Sequence, residues 1–161
     1  ALIVALIVRR RWPDLERTLT VVALTFTSCQ IWFVLFPVAG PYHVFGPLDP
    51  PAPGVLFPPI TNAIVAAGSS VGTAFPSSHV AVAWSVWATA WRSDRAMARV
   101  LTVLVPLLTV GTVYGGFHYA VDSIAGIAWA AVSVATGRWL HDRLRPSMQV
   151  DHAAAPGDLL A

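Results

Sequence analysis

The sequence predicts an all-α integral membrane helical bundle, with about four complete spanning helices plus the end of another. Composition predicts it first: 56% of the 161 residues are hydrophobic and 11% are charged, against the ~25% charged of an average soluble domain. The mean hydropathy is +0.65. Second, the apolar residues gather into runs, several approaching the ~20 residues that a helix needs to cross a bilayer. Third, every basic residue is an arginine flanking such a run.

The chain opens on "ALIVALIV", too short to span, followed by Arg9, Arg10, Arg11 and Trp12. A signal peptide would carry its charges before the apolar stretch, so residues 1–17 read as the end of an upstream spanning helix and a cytoplasmic link. Residues 18–145 read as the membrane-embedded domain. Its first span runs from Thr18 to Val38; the lone Cys29 inside it supports no disulfide framework. In the loop "AGPYHVFGPLDPPAPGVLFPP", proline and glycine exclude helix and strand interiors. Residues 60–70, "ITNAIVAAGSS", could be a short helix at the surface or dipping inward, and periodicity leaves the choice open. Three further spans are predicted over Ser77–Trp91, Val100–Tyr114 and Ser123–Leu140. Residues 146–161 read as a disordered cytoplasmic tail.

The arginines give an orientation. Arg9, Arg10, Arg11 and Arg17 precede or open the first span, Arg92, Arg95 and Arg99 fill the second link, and Arg138, Arg143 and Arg145 close the last run. If the chain alternates sides, all ten face the cytoplasm by the positive-inside rule. Trp12, Trp91 and Trp139 belong to that boundary and Tyr42, Tyr114 and Tyr119 to the other, as interfacial belts prefer. The pI of about 9.2 does not indicate a nucleic-acid partner, because these arginines form no basic patch interleaved with aromatics.

The extracytoplasmic side then holds "GTAFPSSH" and "YGGFHYAVDSIAG". His118 and Asp122 are one helical turn apart, on one face, and His79 opens the preceding span at the same level. Ionisable residues at membrane depth are costly and mark function by default. A carboxylate holding one imidazole nitrogen leaves the other as a nucleophile and stabilises the cation formed on attack, so Asp122 would orient His118. His79, across the reacting centre, could protonate a leaving oxygen and deprotonate the incoming acceptor. Pro76 ends any earlier helix, Ser77 or Ser78 can cap the new one, and the amides of its first turn suit an anion such as phosphate. The backbone of Gly115 and Gly116 is expected opposite that helix start, where two glycines permit either close packing or a phosphate approach. The two imidazoles would flank one phosphorus, on the order of ~6 Å apart or somewhat more.

At these residues the sequence resembles the type 2 phosphatidic acid phosphatase superfamily of integral membrane phosphatases and phosphotransferases. Its motif P-S-G-H is matched by Pro76, Ser77 and His79, with Ser78 in place of glycine; its motif S-R, five residues, H, three residues, D is matched by His118 and Asp122, with Gly111 and Thr112 at the Ser-Arg positions. The family's lysine-containing motif has no counterpart, since the chain has no lysine. That loss, with P-S-x-H and H-Y-x-x-D, resembles the branch of inositol phosphorylceramide and sphingomyelin synthases, which move a phospho-headgroup from one lipid to another alcohol. The resemblance implies a lipid phosphatase or phosphotransferase of the cell membrane with its active site extracytoplasmic. It would act through a phosphohistidine, with a phospholipid substrate and an alcohol or water acceptor, and with no metal or cofactor. It implies His118, His79 and Asp122 as catalytic, and Ser77, Ser78, Thr112, Gly115 and Gly116 as substrate-binding.

Two other readings stand beside this one. His79 and His118 could bind haem or a divalent metal in a non-catalytic membrane protein, although no further ligand besides Asp122 has zinc-site spacing. The same residues could relay protons in a transporter, although such relays favour mid-membrane positions. His43 reads first as solvated, and His141 and His152 lie away from the site. The orientation is testable: a cysteine replacing Pro47 is expected to react with a membrane-impermeant thiol reagent on intact cells, and one replacing Ser93 to stay unlabelled. The reverse pattern would place the histidines on the cytoplasmic side.

Overall fold

The computed structural model describes residues 2–46, 58–60, 63, 67 and 70–153, and for residues 145–153 the backbone alone. Its elements are α1 (Leu2–Val8), α2 (Trp12–Leu35), α3 (Pro41–Phe45), α4 (Ser78–Ser93), α5 (Arg95–Tyr114) and α6 (Ala120–Ala153). Among the described residues no strand forms; one isolated parallel bridge pairs Val38 with Thr73. The all-α expectation holds. Three helices are long and apolar enough to cross a membrane: α2, α5 and the Ala120–Leu144 part of α6. The chain is an integral membrane protein by that measure.

The fourth expected span is shorter than a bilayer. Helix α4 has 16 residues, about 24 Å at 1.5 Å per residue, against a hydrocarbon core of ~30 Å. It is instead the helix around which the others gather, packing on α6, α5 and α2. Helix α6 runs past the end of the apolar run at Leu140 to Ala153, into the segment whose composition reads as disordered. Residues 154–161 lie outside the described part, as does most of 60–70, of which Ile60, Ala63 and Ala67 are described as helical.

Small and hydroxylated residues fill the helix interfaces, while large apolar side chains face outward. Thr18, Val21, Thr25 and Cys29 of α2, Ala81, Ser85 and Thr89 of α4, and Ala130, Ser133 and Gly137 of α6 are buried. Phe26, Val103, Leu107, Val110 and Ile124 are exposed. This suits a lipid solvent, in which apolar surface gains nothing by turning inward and close approach of backbones decides the packing. A Cβ on Gly126 would lie 2.7 Å from the carbonyl oxygen of Ser77, and one on Gly137 would lie 2.9 Å from Val21 Cγ2. Both contacts require glycine for α6 to lie against α4 and α2. Hydroxyls bond across the interfaces: Thr25 with Ser85 at 3.0 Å, Trp129 Nε1 to Ser28 at 2.8 Å, Trp84 Nε1 to Thr109 at 3.1 Å and Trp87 Nε1 to Thr102 at 3.0 Å.

The last two bonds fix α4 and α5 as an antiparallel hairpin. At its turn Asp94 ends α4 and caps α5, accepting from the amides of Ala96 and Met97, each at 3.1 Å. Arg9 pairs with Asp94 at 2.7 Å, Arg11 bonds the Ser93 carbonyl, and Arg17 reaches Asp142 at 3.3 Å. The α1–α2 link, the α4–α5 turn and the far half of α6 therefore share one end of the bundle, which holds the arginines. The hairpin carries the start of α4 to the other end, beside the close of α5, and the start of α6 follows directly.

Candidate functional site

At that other end, two helix starts and two loop segments converge. Ser77 caps α4 by accepting from the Val80 amide at 3.4 Å, so the unshared first-turn amides of Ser78 and His79 point toward the bundle end. The Ser77 amide donates to the Asp122 carbonyl at 3.0 Å, which ties the start of α4 to the first turn of α6. Backbone bonds also set His118: its amide and that of Phe117 donate to the Thr112 carbonyl at 3.2 Å and 3.1 Å. The turn joining α5 to α6 includes Gly116 at φ 73, a conformation glycine adopts without penalty. The Gly116 carbonyl accepts from the Tyr42 amide at 3.1 Å, docking α3 over the site.

The two imidazoles lie close together, with ring centroids 5.9 Å apart and planes inclined at 57°. His118 is buried, and its Nδ1 lies 2.9 Å from the Ala74 carbonyl oxygen. A carbonyl can only accept, so Nδ1 carries the proton and Nε2 is left with its lone pair. Ala74 is itself held, its amide donating to the Val38 carbonyl at 3.1 Å.

Asp122 makes no direct hydrogen bond to His118. Its Oδ2 stands 3.9 Å from His118 Nδ1 and accepts instead from the Tyr119 amide at 2.8 Å. It occupies the third position of α6 and reaches back to the residue before the helix, as the acidic member of a capping box does. Helix capping draws the carboxylate away from the ring, and the Ala74 carbonyl takes the orienting role. Asp122 remains buried beside the ring.

Both imidazoles line a cavity of about 60 Å³, room for about four to six water-sized groups. That is on the scale of one phosphoryl group. Its lining includes Ser78, His79 and His118, joined by Tyr42, His43, Ser70 and Thr73. Of the residues expected to bind substrate, the structure brings Ser78 to the cavity. Ser77 lies behind it as the helix cap, Thr112 supports the His118 backbone and bonds the Thr109 carbonyl through its hydroxyl, and Gly115 and Gly116 form the turn. Those four do not line the cavity. His43, read first as solvated, does. No sequence pattern links "PYHVF" to the site, because the docking bond runs through backbone atoms. The described lining holds no arginine, and its basic side chains are His43, His79 and His118.

Burial lowers the His118 pKa to about 4, the nearby His79 adding to the shift and the Ala74 bond opposing it. His118 is thus neutral at neutral pH and protonates only as pH falls through about 4. Between the ordinary 6.5 and about 4, the unfolded chain takes up a proton that the folded chain refuses, so stability declines as pH falls through that window and is unaffected above it. Nitrogen-15 NMR of the histidine-labelled protein is expected to show His118 as the neutral Nδ1–H tautomer at pH 6. Substantial imidazolium at that pH, or an Nε2–H tautomer, would contradict the site as described.

No curated protein and no solved structure matches the chain. A sequence model described as PAP2 superfamily matches residues 1–136, a span that contains α1 to α5, the first half of α6 and every described lining residue of the histidine cavity. The chain belongs to the PAP2 superfamily.

Proposed function

We propose that the protein is a membrane lipid phosphatase or phospho-headgroup transferase that works through a phosphohistidine on His118. The observation that carries this is the pair of imidazoles that line one phosphoryl-sized cavity, their ring centroids 5.9 Å apart, with His118 in a fixed neutral tautomer. Membership of a superfamily made up mostly of phosphatases and phosphotransferases supports a phosphate-ester substrate.

In the first step the Nε2 lone pair of His118 attacks phosphorus, and the bond from phosphorus to the ester oxygen breaks. His79, protonated, gives its proton to that leaving oxygen, and a lipid alcohol departs. The phosphorylated ring keeps its Nδ1 proton on the Ala74 carbonyl and is cationic; Asp122, 3.9 Å from Nδ1, stabilises that charge. In the second step His79, now neutral, takes the proton of water or an alcohol as its oxygen attacks phosphorus. His118 Nε2 is released and His79 is protonated again. The amides of Ser78 and His79 and the His43 side chain supply donors where other members of the superfamily carry arginine and lysine. The lack of those basic groups favours transfer, of the kind that the inositol phosphorylceramide and sphingomyelin synthases perform. The arginine distribution supports an extracytoplasmic site, and the cell membrane is the membrane proposed. The metal-binding alternative is weaker: among the described residues no three His, Cys, Asp or Glu side chains are grouped to hold an ion.

Incubating the reconstituted protein with phosphorus-labelled phospholipid is expected to give covalent label that is alkali-stable and acid-labile. His118→Ala abolishes it, whereas His79→Ala slows turnover by ~10²–10⁴. Full activity of either variant on lipid would contradict the proposal.

A further inference from the structure

A second cavity, of about 420 Å³, lies between α4 and α6. Trp84, Trp87 and Ala88 of α4 line it with Ile127, Val134 and Arg138 of α6. All but Arg138 are apolar or aromatic. The rim residues Ala131 and Ala135 are exposed on the outer surface of the bundle, where the surroundings are lipid. Arg138 lies 16 residues beyond Asp122 on the same helix, about 24 Å along its axis, so this cavity belongs to the arginine end.

The guanidinium is incompletely satisfied. One terminal nitrogen of Arg138 donates to the Ala88 carbonyl at 3.1 Å, while its Nε is buried without an acceptor among the described residues. The Nε of Arg17 is in the same position. Arg92 and Arg17 lie near enough to Arg138 to repel it, and Asp142 is the carboxylate that opposes them. Asp142 already pairs with Arg17 at 3.3 Å and is exposed. Among the described residues, Arg138, the one charged residue lining the apolar groove, thus has no carboxylate of its own. Exposed Trp91 and Trp139 lie on the same end of α4 and α6, as aromatic side chains do at headgroup depth.

We propose that this groove is a binding site for an anionic phospholipid, with an acyl chain along Trp84, Trp87 and Val134 and the phosphate on Arg138. A charged group buried beside hydrocarbon needs a counter-ion, and the unfilled Nε of Arg138 offers a further donor to a phosphate oxygen. An acyl chain answers the apolar walls, which a free inorganic anion does not. The site lies at the end of the bundle opposite the histidines and takes no part in the proposed reaction.

Native mass spectrometry of the full chain, released from micelles doped with phosphatidylglycerol or phosphatidylcholine, tests this. Phosphatidylglycerol is expected to be retained at least ~10-fold more. Arg138→Gln is expected to bring its retention to the phosphatidylcholine level, and Ala131→Trp, at the exposed rim, to lower it by filling the groove. His118→Ala is expected to leave it unchanged. Should Arg138→Gln fail to fold, the Ala131→Trp result decides. Equal retention of the two lipids, retention unaffected by filling the groove, loss of retention in His118→Ala, or equal displacement by inorganic phosphate would each overturn the proposal.

Discussion

The hydrogen bond from His118 Nδ1 to the Ala74 carbonyl, 2.9 Å long, joins the two loop systems on which the histidine site depends. One partner belongs to the turn between α5 and α6, the other to the segment before α4, and Ala74 is in turn bonded to Val38 after α2. Removing that bond would free the ring to rotate and leave a buried carbonyl without a donor, a loss of ~1–3 kcal/mol. It also decides which nitrogen is available. With Nδ1 occupied, only Nε2 offers a lone pair, and the His79 ring lies at a centroid distance of 5.9 Å.

The arrangement works because the bundle separates its charges by end. The arginines and their carboxylate partners Asp94 and Asp142 stand where α4 turns into α5 and where α6 leaves the apolar region. The histidines stand where α4 and α6 begin. Between them α4 packs through small residues and hydroxyls, with Thr25 bonded to Ser85 and Gly126 against the Ser77 carbonyl. The same Gly126 contact and the bond from the Ser77 amide to the Asp122 carbonyl hold the starts of α4 and α6 in register. Packing along the helices thereby sets the distance between His79 and His118.

Much of this was legible in the sequence because it rests on periodicity and charge. Apolar runs punctuated by arginine predict the helices, and alternation of sides predicts that His79 and His118 meet at one end. The Asp122 contact was not legible. The spacing of four residues from His118 is the same whether the carboxylate faces the ring or turns back to cap α6, and the free Tyr119 amide makes capping the closer contact. Ala74 carries no signal, since every residue has a carbonyl, and the same holds for the Gly116 carbonyl that brings His43 and Tyr42 to the cavity. The bounds of α4 were legible, since "SSHVAVAWSVWATAW" covers all but its last two residues, but capping by Ser77 and the turn at Asp94 close it at 16 residues, short of a full bilayer span.

The central claim is that both imidazoles address one phosphorus atom. A structure of the protein with orthovanadate, which adopts the five-coordinate geometry of phosphoryl transfer, tests it most directly. The account predicts vanadium bonded to His118 Nε2, the His79 ring on the opposite side within hydrogen-bond reach of a vanadate oxygen, and the His118 bond to Ala74 intact. Vanadate bound away from the cavity, or His118 turned to present Nδ1 with the Ala74 bond broken, would contradict it.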